Sequence, residues 1–274
     1  MHTLPILFAF MRSIDSDKNI LYRKLMAQGS ARELKKTNWI LIEGLRQIEE
    51  ALQAGADLDY LVFSDDEKGE SIRLRLEEKS AGLLEQLDED QLVLMRSDLF
   101  QRLAETKTPA GILAVLQALR TPLEEIQELN SLVLIDVQDP GNVGTLIRSA
   151  DAFAIKQVVL LGASASPWLN KTLRAAMGSI FHVNIFEEKD TQAGLDLLRQ
   201  KGLKLLAMDT SGTNIRLIEL GSTNYGLILG NEANGLPEQL LKQVEEVIRI
   251  DMPGSAESLN VAIAGAIALY ELNR

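Results

Sequence analysis

The sequence contains no cysteine and only two histidines, and each shortage excludes a class of protein. Without thiols the chain can form no disulfide framework, zinc ribbon or thiol nucleophile. His2 and His182 are too few for a histidine-rich metal site, so we predict a function that uses no metal. No apolar run reaches the roughly 18 residues that a bilayer-spanning helix needs. The remaining composition, 46% hydrophobic and 24% charged over 274 residues, is typical of a globular protein with one large domain or two modest ones.

A short apolar segment, Leu4–Met11, lies near the beginning of the sequence. It has neither the preceding basic residues nor the small-residue cleavage site of a secretory signal. Two alternatives remain, an N-terminal arm packed against the protein or translation that naturally begins at Met11. We expect a cytoplasmic protein in either case.

Acidic residues outnumber basic ones, but they are unevenly distributed. The net charge is −11 and the isoelectric point about 4.8, which argues against a protein that coats nucleic acid by charge alone. Residues 57–98 carry a balance of −8, whereas residues 1–50 carry +2 and residues 140–186 carry +3. The first basic stretch either contacts phosphates or is an ordinary solvated face, and its candidate residues are Arg23, Lys24, Arg32, Lys35 and Lys36.

The first part of the chain has the pattern of a small α/β domain. Apolar residues at helical spacing, with basic residues between them, predict one amphipathic helix over Asp17–Gly29. Short apolar runs bounded by glycine or charged residues predict strands. The predicted elements are strands Trp39–Glu43, Leu61–Phe63, Gln91–Met95 and Ile112–Leu116, a helix Leu45–Ala54, an acidic helix and loop over Asp65–Asp90, and a linker Ala118–Asn130.

The second part alternates strands and helices regularly, which predicts a mostly parallel sheet with helices on both faces. The predicted strands are Leu132–Val137, Gln157–Leu161, Val183–Phe186, Leu203–Met208, Tyr225–Leu229 and Val247–Ile250. The predicted helices are Asn142–Phe153, Asn170–Ser179, Thr191–Lys201, Pro237–Val244 and a last one from about Leu259.

Ligands of open α/β sheets bind outside the carboxyl ends of the strands, and the loop after the first of these strands has an unusual sequence. Within residues 139–153, Asn142 is the expected N-cap of a helix that carries Arg148. An arginine at such a place is often only a surface ion pair. Neither the P-loop pattern nor the dinucleotide-binding glycine pattern occurs in the chain.

Two later loops are also unusual. Two glycines bracket Asn231, Glu232 and Asn234 in residues 230–237, a run that could also be an ordinary hydrophilic loop before a helix. In residues 251–272, polar residues precede an alanine-rich helix; among them are Ser258, whose alternative role is an N-cap, and Asn260.

The runs NVGTLIRSADAF, ILGNEANGLP and IDMPGSAESLNVAIAGAIALYEL occur in this order. Together they resemble the three motifs of the SpoU (TrmH-type) family of RNA ribose 2′-O-methyltransferases, members of the SPOUT superfamily. The resemblance is strong over residues 130–274. It is weaker over residues 13–116, where ILIEGLRQIEEALQAG and TKTPAGILAVL resemble the family's L30e-like substrate-binding domain. Ala110 departs from that pattern, which has glutamine there.

This resemblance implies an α/β protein with an L30e-like RNA-binding domain over residues 1–120 and a trefoil-knotted methyltransferase domain over residues 130–274. It also implies a homodimer that has RNA as its partner, contacts no membrane and holds no metal. The implied cofactor is S-adenosylmethionine, bound in the knot largely by backbone groups. The matching cofactor positions are Gly230, Asn231, Ile250, Met252 and Leu259, together with Met208 and Thr210 from a loop over Ala207–Ser211.

The motifs also imply the catalytic residues, Arg148, Asn142, Glu232, Ser258 and Asn260. Because a guanidinium stays protonated, we expect Arg148 to hold a substrate phosphate and stabilise the emerging alkoxide rather than act as a base. Glu232 is expected to orient Arg148 or the cofactor pocket. Asn142 helps fix the RNA, and the third motif bridges the ribose site and the cofactor loop.

The expected substrate is large-subunit (23S) ribosomal RNA, because an L30e-like domain favours a structured RNA element recognised by its shape. One alternative is a tRNA 2′-O-methyltransferase of the same family. Another is a non-catalytic RNA-binding or ribosome-assembly protein, although such a protein would not need the polar motif residues that are present here.

Overall fold

The computed structural model of this protein describes residues 11–28, 30–84, 87–104 and 106–274. The apolar segment before Met11, for which a packed arm is one expectation, lies outside the described residues. The chain divides between Ala118 and Leu119 into two compact units, and each unit has its own sheet. The predicted α/β class is therefore confirmed. Among the described residues, no helix is both long and apolar enough to cross a membrane.

A five-stranded sheet with helices between its strands forms the N-terminal unit. The strands are β1 (Arg12–Ile14), β2 (Trp39–Glu43), β3 (Leu58–Ser64), β4 (Leu92–Met95) and β5 (Ile112–Gln117). The helices are α1 (Ile20–Met26), α2 (Ala31–Thr37), α3 (Leu45–Gln53), α4 (Glu67–Leu84) and α5 (Ser97–Leu103). The strand order is β1-β4-β3-β5-β2, with β1, β4 and β3 mutually parallel and β5 antiparallel to both of its neighbours.

The prediction of one helix over Asp17–Gly29 is wrong in extent. The helix α1 starts only after Asn19, whose side chain accepts hydrogen bonds from the N–H groups of Leu21 and Tyr22 and so caps it. A second helix, α2, was not predicted, because its sequence ARELKKT lacks an apolar stripe. The strand β1 was also missed, since three residues are too few to show an alternation.

A six-stranded sheet forms the C-terminal unit, and every neighbouring pair in it is parallel. The strands are β6 (Ser131–Ile135), β7 (Gln157–Leu161), β8 (Asn184–Glu188), β9 (Lys204–Asn214), β10 (Tyr225–Leu229) and β11 (Glu246–Arg249). The helices are α6 (Pro140–Ala152), α7 (Asn170–Ala176), α8 (Thr191–Gln200), α9 (Glu238–Leu241) and α10 (Val261–Leu272). The order β11-β9-β10-β6-β7-β8 agrees with the predicted mostly parallel sheet.

Both faces of this sheet are covered by apolar side chains. Leu195 and Leu198 of α8 join buried strand residues such as Val159 in one cluster. On α10, a Cβ on Gly265 would lie 2.4 Å from Leu146 of α6 and 2.6 Å from Leu229 of β10. A larger residue would require the ends of both leucine side chains to shift, so glycine lets α10 lie closely against the sheet beside α6.

The predicted linker Ala118–Asn130 is packed rather than free. Ile126 is buried in the core of the C-terminal unit. The buried Gln157 side chain accepts a hydrogen bond from the N–H of Gln127 at 2.8 Å, and it donates to the carbonyl of Gln127 at 3.1 Å. The end of the linker is therefore held by the first residue of β7 before β6 begins.

The segment Ala207–Ser211, predicted as a loop, belongs to the long strand β9. Within it the pairing with β11 is interrupted, because Val247 pairs with Ala207 while the next residue, Ile248, pairs with Thr213. Residues 208–212 therefore form a bulge that stands away from the ladder. This bulge places side chains of a sheet strand beside the site described next.

Candidate functional site

A cavity of about 410 Å³ opens between the bulge of β9 and the segments that follow β10 and β11. Carboxyl ends of parallel strands are the usual place for a ligand site in such a sheet. All seven residues predicted to contact a cofactor line this cavity: Met208, Thr210, Gly230, Asn231, Ile250, Met252 and Leu259. Glu232 and Ser258 line it too, whereas Asn142, Asn260 and Arg148 do not.

The turn after β10 is built so that backbone forms part of the cavity wall. Asn231 and Gly235 exchange backbone hydrogen bonds of 3.2 and 2.9 Å. A Cβ on Gly230 would lie 2.7 Å from the carbonyl group of Gly235, so no larger residue fits there. The Asn231 side chain accepts hydrogen bonds within the turn and donates to the carbonyl of Asp136 at 2.9 Å. The turn is thereby joined to the end of the neighbouring strand β6.

Three residues from three separate segments of the chain form a hydrogen-bonded relay at the rim of the cavity: Asn142 lies in the first turn of α6, Glu232 in the turn after β10, and Asn260 directly before α10. Asn260 accepts hydrogen bonds from the N–H groups of Ala262 and Ile263, which it caps, and this fixes the orientation of its amide. Its Nδ2 then donates to Oδ1 of Asn142 at 3.0 Å. Nδ2 of Asn142 in turn donates to Oε1 of Glu232 at 3.0 Å. The Asn260 oxygen is fixed by the two N–H groups that donate to it, and the Asn142 nitrogen is fixed because Glu232 can only accept. The orientation of both amides in the relay is therefore determined.

Glu232 accepts further hydrogen bonds from the backbone N–H groups of Gln138 and Asp139, at 3.3 and 3.2 Å. Burial acts to raise the pKa of Glu232, but these bonds and the one from Asn142 outweigh it, so the pKa is lowered. Glu232 is consequently a carboxylate at neutral pH and a poor proton acceptor.

Asn142 does not cap α6, contrary to the prediction. The N-cap is Asp139, whose Oδ1 accepts from the N–H groups of Gly141 at 2.7 Å and Asn142 at 3.1 Å. Its Oδ2 pairs with Nζ of Lys171 at 2.7 Å. The Lys171 ammonium is the main cause of a lowered pKa of Asp139, and the two capped N–H groups add to it. With capping done by Asp139, the Asn142 side chain is available for the relay.

Arg148 lies on the same helix but apart from the relay. It is exposed and makes no ion pair or hydrogen bond with any residue in the described part of the chain. Six residues separate it from Asn142, a rise of about 9 Å along the helix axis. Side chains on a helix point back toward its N-terminus, so the long Arg148 side chain can reach toward the relay end of α6.

Ser258 is exposed on the cavity wall and caps no helix, because Asn260 is the N-cap of α10. The last helix accordingly begins at Val261 rather than at Leu259. The predicted motif residues are thus divided into a cavity group, a relay and the separate Arg148.

The profile of the SpoU rRNA Methylase family matches residues 130–270. The chain belongs to this family. Residues 23–114 match a second profile, the MRM3-like substrate binding domain. The chain is 34% identical over 264 residues to the 23S rRNA (guanosine(2553)-2′-O)-methyltransferase RlmP of Bacillus subtilis, which covers 96% of this chain and 99% of that protein.

Solved structures of methyltransferases have the same fold. The chain resembles an AdoMet-bound rRNA methyltransferase from Sinorhizobium meliloti with a TM-score of 0.83 and 26% identity, over 96% of this chain and 97% of that one. The SpoU methyltransferase AviRb from Streptomyces viridochromogenes, solved in complex with AdoMet, gives a TM-score of 0.79 at 23% identity, over 93% and 98% of the two chains. At that identity the second likeness concerns the fold alone.

Sequence reasoning missed several polar residues of this SpoU site. Asp139 and Lys171 hold the start of α6, and Asp209, Arg249 and Glu257 line the cavity. Asp139 could have been found, since an aspartate directly before a proline is a strong signal for an N-cap followed by the first helical residue. The others have no local signal, because they depend on which segments the fold brings together.

Proposed function

We propose that this chain transfers a methyl group from S-adenosylmethionine to the ribose 2′-hydroxyl of a guanosine in large-subunit ribosomal RNA. The observation that carries the proposal is the relay of Glu232, Asn142 and Asn260, which joins the three motifs of the SpoU family at the rim of one cavity. Membership of the family and the similarity to RlmP support the reaction and the substrate.

The cavity fits S-adenosylmethionine in size and in chemistry. About 410 Å³ lies within the range of roughly 300–1,000 Å³ that small-molecule sites occupy. Met208, Leu229 and Leu259 offer apolar contact for an adenosine. The carboxylates of Asp209, Glu232 and Glu257 complement a ligand that carries a sulfonium and an ammonium group. When bound, the cofactor supplies a methyl group that its sulfonium already activates.

The residues of the chain then have to position the ribose oxygen and stabilise its charge. Arg148, which has no partner among the described residues, holds the phosphate of the target nucleotide and stabilises the alkoxide as the proton leaves to a phosphate oxygen or water. The relay holds Asn142 in one orientation for contact with the RNA. Ser258, exposed on the cavity wall, contacts the ribose from the cofactor side.

Glu232 acts as a positioning residue, and its replacement tests that role. We expect Glu232→Gln to lower kcat about tenfold, because glutamine has one acceptor oxygen and leaves a donor of the site without a partner. Since the pKa of Glu232 is lowered, the wild-type rate should show no titration of this group at or above its ordinary value of 4.5. The measurement is kcat and KM over a pH series, with the exposed Glu238→Gln as the control. A titration near neutrality that disappears in Glu232→Gln would instead make Glu232 the base.

The direct test of the function is methyl transfer from labelled S-adenosylmethionine to ribosomal RNA and, separately, to tRNA, both from cells that lack this gene. Label at one alkali-resistant guanosine of 23S rRNA supports the proposal. Label in tRNA would move the substrate to the alternative within the family. Binding of RNA and cofactor with no transfer to either RNA would favour a non-catalytic role in ribosome assembly.

Further parts of the proposal are a trefoil-knotted C-terminal domain, an L30e-like N-terminal domain, a cytoplasmic location and a homodimer. The fold similarity to SpoU enzymes supports the knot, and the substrate-binding profile supports the role of the N-terminal domain. Ribosomal RNA as substrate supports the location.

Exposed apolar side chains on α10 support the homodimer. Ile263 and Tyr270 are seven residues apart, lie on one face of that helix and are 54% and 57% exposed. We expect light scattering to give about twice the chain mass of 30.3 kDa for the wild type. Ile263→Arg should give the single mass, because a charge cannot be buried there without a partner. Ile20→Arg, at an apolar residue 73% exposed in the N-terminal unit, is the control and should remain dimeric. A dimeric Ile263→Arg protein would contradict this choice of surface.

A further inference from the structure

A second cavity lies within the N-terminal unit, where the ends of β3 and β4 meet the loop before β5. Its volume is about 440 Å³, and its lining includes Lys68, Ser97, Lys107 and Thr108. The strands β3 and β4 are parallel, and both end at the edge of the sheet that carries the cavity. The strand β5 is antiparallel to β3, so it begins at the same edge. The carboxyl edge of a small sheet therefore carries an open, polar cavity of nucleotide size.

The loop of residues 106–111 is held in place at its beginning, middle and end. Thr106 donates to the carboxylate of Glu43 through its backbone N–H at 3.3 Å and through its hydroxyl. Nζ of Lys68 donates to the carbonyl of Pro109 at 3.3 Å. Gly111 has a φ of +86°, and a Cβ on it would lie 2.7 Å from the backbone nitrogen of Gly69. The cavity is therefore preformed rather than assembled when a ligand arrives.

The carboxylates that line this cavity already have partners, whereas Lys107 has no acidic partner among the described residues. Asp98 pairs with Arg96 and, at 3.7 Å, with Arg102. Asp66 accepts from the N–H groups of Lys68 at 3.0 Å and Gly69 at 3.1 Å at the start of α4. Burial acts to raise the pKa of Asp66, but its hydrogen bonds and the nearby Lys68 ammonium outweigh burial and lower the pKa, so Asp66 stays ionised.

Nζ of Lys68 donates a hydrogen bond to a neutral carbonyl, and its charge also attracts the carboxylate of Asp66. Lys107 has no ion pair or hydrogen bond within the part of the chain that the structure describes. Two lysines thus line one cavity, and no carboxylate of the described residues is paired with Lys107. In a chain with a net charge of −11, such a pair is well suited to an anion. The hydroxyl groups of Ser97 and Thr108 add donors and acceptors of the kind that a ribose or a base edge needs.

We infer that this cavity binds one nucleotide of the substrate RNA, with its phosphodiester on Lys68 and Lys107. The inference rests on the proposed function for the identity of the RNA, and it adds a contact site in the N-terminal unit that is separate from the site of methyl transfer. Its role is to hold a nucleotide away from the target ribose and so contribute to the affinity for the RNA.

The test compares wild type with the Lys68→Ala/Lys107→Ala double variant in binding to 23S rRNA from cells that lack the gene, at several salt concentrations. We expect the variant to bind about tenfold more weakly and the salt slope to fall by about 0.7, the value for one lost single-strand phosphate. A Lys18→Ala/Lys189→Ala variant removes the same charge from two other exposed positions and should bind like wild type. Unchanged S-adenosylmethionine affinity and thermal unfolding show that the double variant is folded.

Competitors distinguish an RNA strand from a free nucleotide as the ligand. If the site binds an RNA strand, an oligouridylate should displace 23S rRNA from the protein. Uridine monophosphate and inorganic phosphate at the same concentrations should not. Displacement by the mononucleotide alone, or equal affinity and slope in wild type and double variant, would overturn the inference. Equal binding with normal methyl transfer overturns this site only. If the salt slope is smaller for the double variant than for wild type, but wild type transfers no methyl group, the proposed function is overturned and the site is supported.

Discussion

An Arg148→Ala protein is expected to transfer methyl groups about 10²- to 10³-fold more slowly than wild type, the loss typical of removing one charge-stabilising donor. Its affinity for S-adenosylmethionine should be unchanged, because Arg148 does not line the cavity. Its stability should be unchanged as well, since the side chain is exposed and bonded to no described residue. The measurements are single-turnover transfer to 23S rRNA, cofactor titration and thermal unfolding.

The lysine variant separates charge from geometry at the same position. A lysine retains the positive charge but cannot offer the planar, two-pronged contact that a guanidinium makes with a phosphate. Arg148→Lys should therefore recover only part of the rate. Full activity in Arg148→Lys would show that a charge alone suffices, and full activity in Arg148→Ala would remove Arg148 from the mechanism. Arg75→Ala is a matched control, because that arginine is also exposed and lies on a helix of the other unit.

The second large effect is expected from Gly212→Ala, at the end of the bulge in β9. A Cβ on Gly212 would lie 2.5 Å from the carbonyl group of Val247 and 2.6 Å from the nitrogen of Ile248. These are backbone atoms in the neighbouring strand, so they cannot move aside as a flexible side chain would. We expect the free energy of unfolding to fall by about 1–3 kcal/mol, the usual range for overpacking.

The same substitution should weaken S-adenosylmethionine binding by at least about tenfold, or about 1.4 kcal/mol. The cavity is lined by Met208 and Thr210 from the bulge and by Arg249 and Ile250 at the end of β11. Gly212 lies where these two strands meet. Gly254→Ala is the control, because a Cβ there would meet nothing within 4 Å. Calorimetric titration and denaturant unfolding of both variants measure the two effects. Wild-type values for Gly212→Ala would mean that the bulge can relax without cost to the cavity.

Much of the fold could be predicted because the strands of the C-terminal unit are short apolar runs and a fully buried parallel sheet needs such runs. Tyr225–Leu229 and Gln157–Leu161, for example, have the predicted limits. The helix α2 could not be predicted, since ARELKKT is polar and its helix depends on a cap at Ser30. The prediction of Asn142 as N-cap was wrong because it overlooked Asp139, which lies three residues earlier, directly before a proline, and is the cap.

The arrangement of the site was predictable only in part. The resemblance to SpoU enzymes indicates which residues belong to the motifs, but not which of them touch. Asn142 contacts residues 90 and 118 positions away, and no local pattern contains such contacts. The bulge of β9 could not be predicted from the sequence for the same reason, since it depends on how β11 pairs with two separated parts of one strand.

The cap of α10 links local folding to the order of the site. Asn260 uses one oxygen to hold the first turn of that helix and the nitrogen of the same amide to hold Asn142. When the first turn of α10 frays, Asn260 is free to rotate and the relay loses its fixed orientation. The exchange rates of the amide protons of Ala262 and Ile263 therefore report how often the site is disordered, and warming should reduce the active fraction before the protein as a whole unfolds.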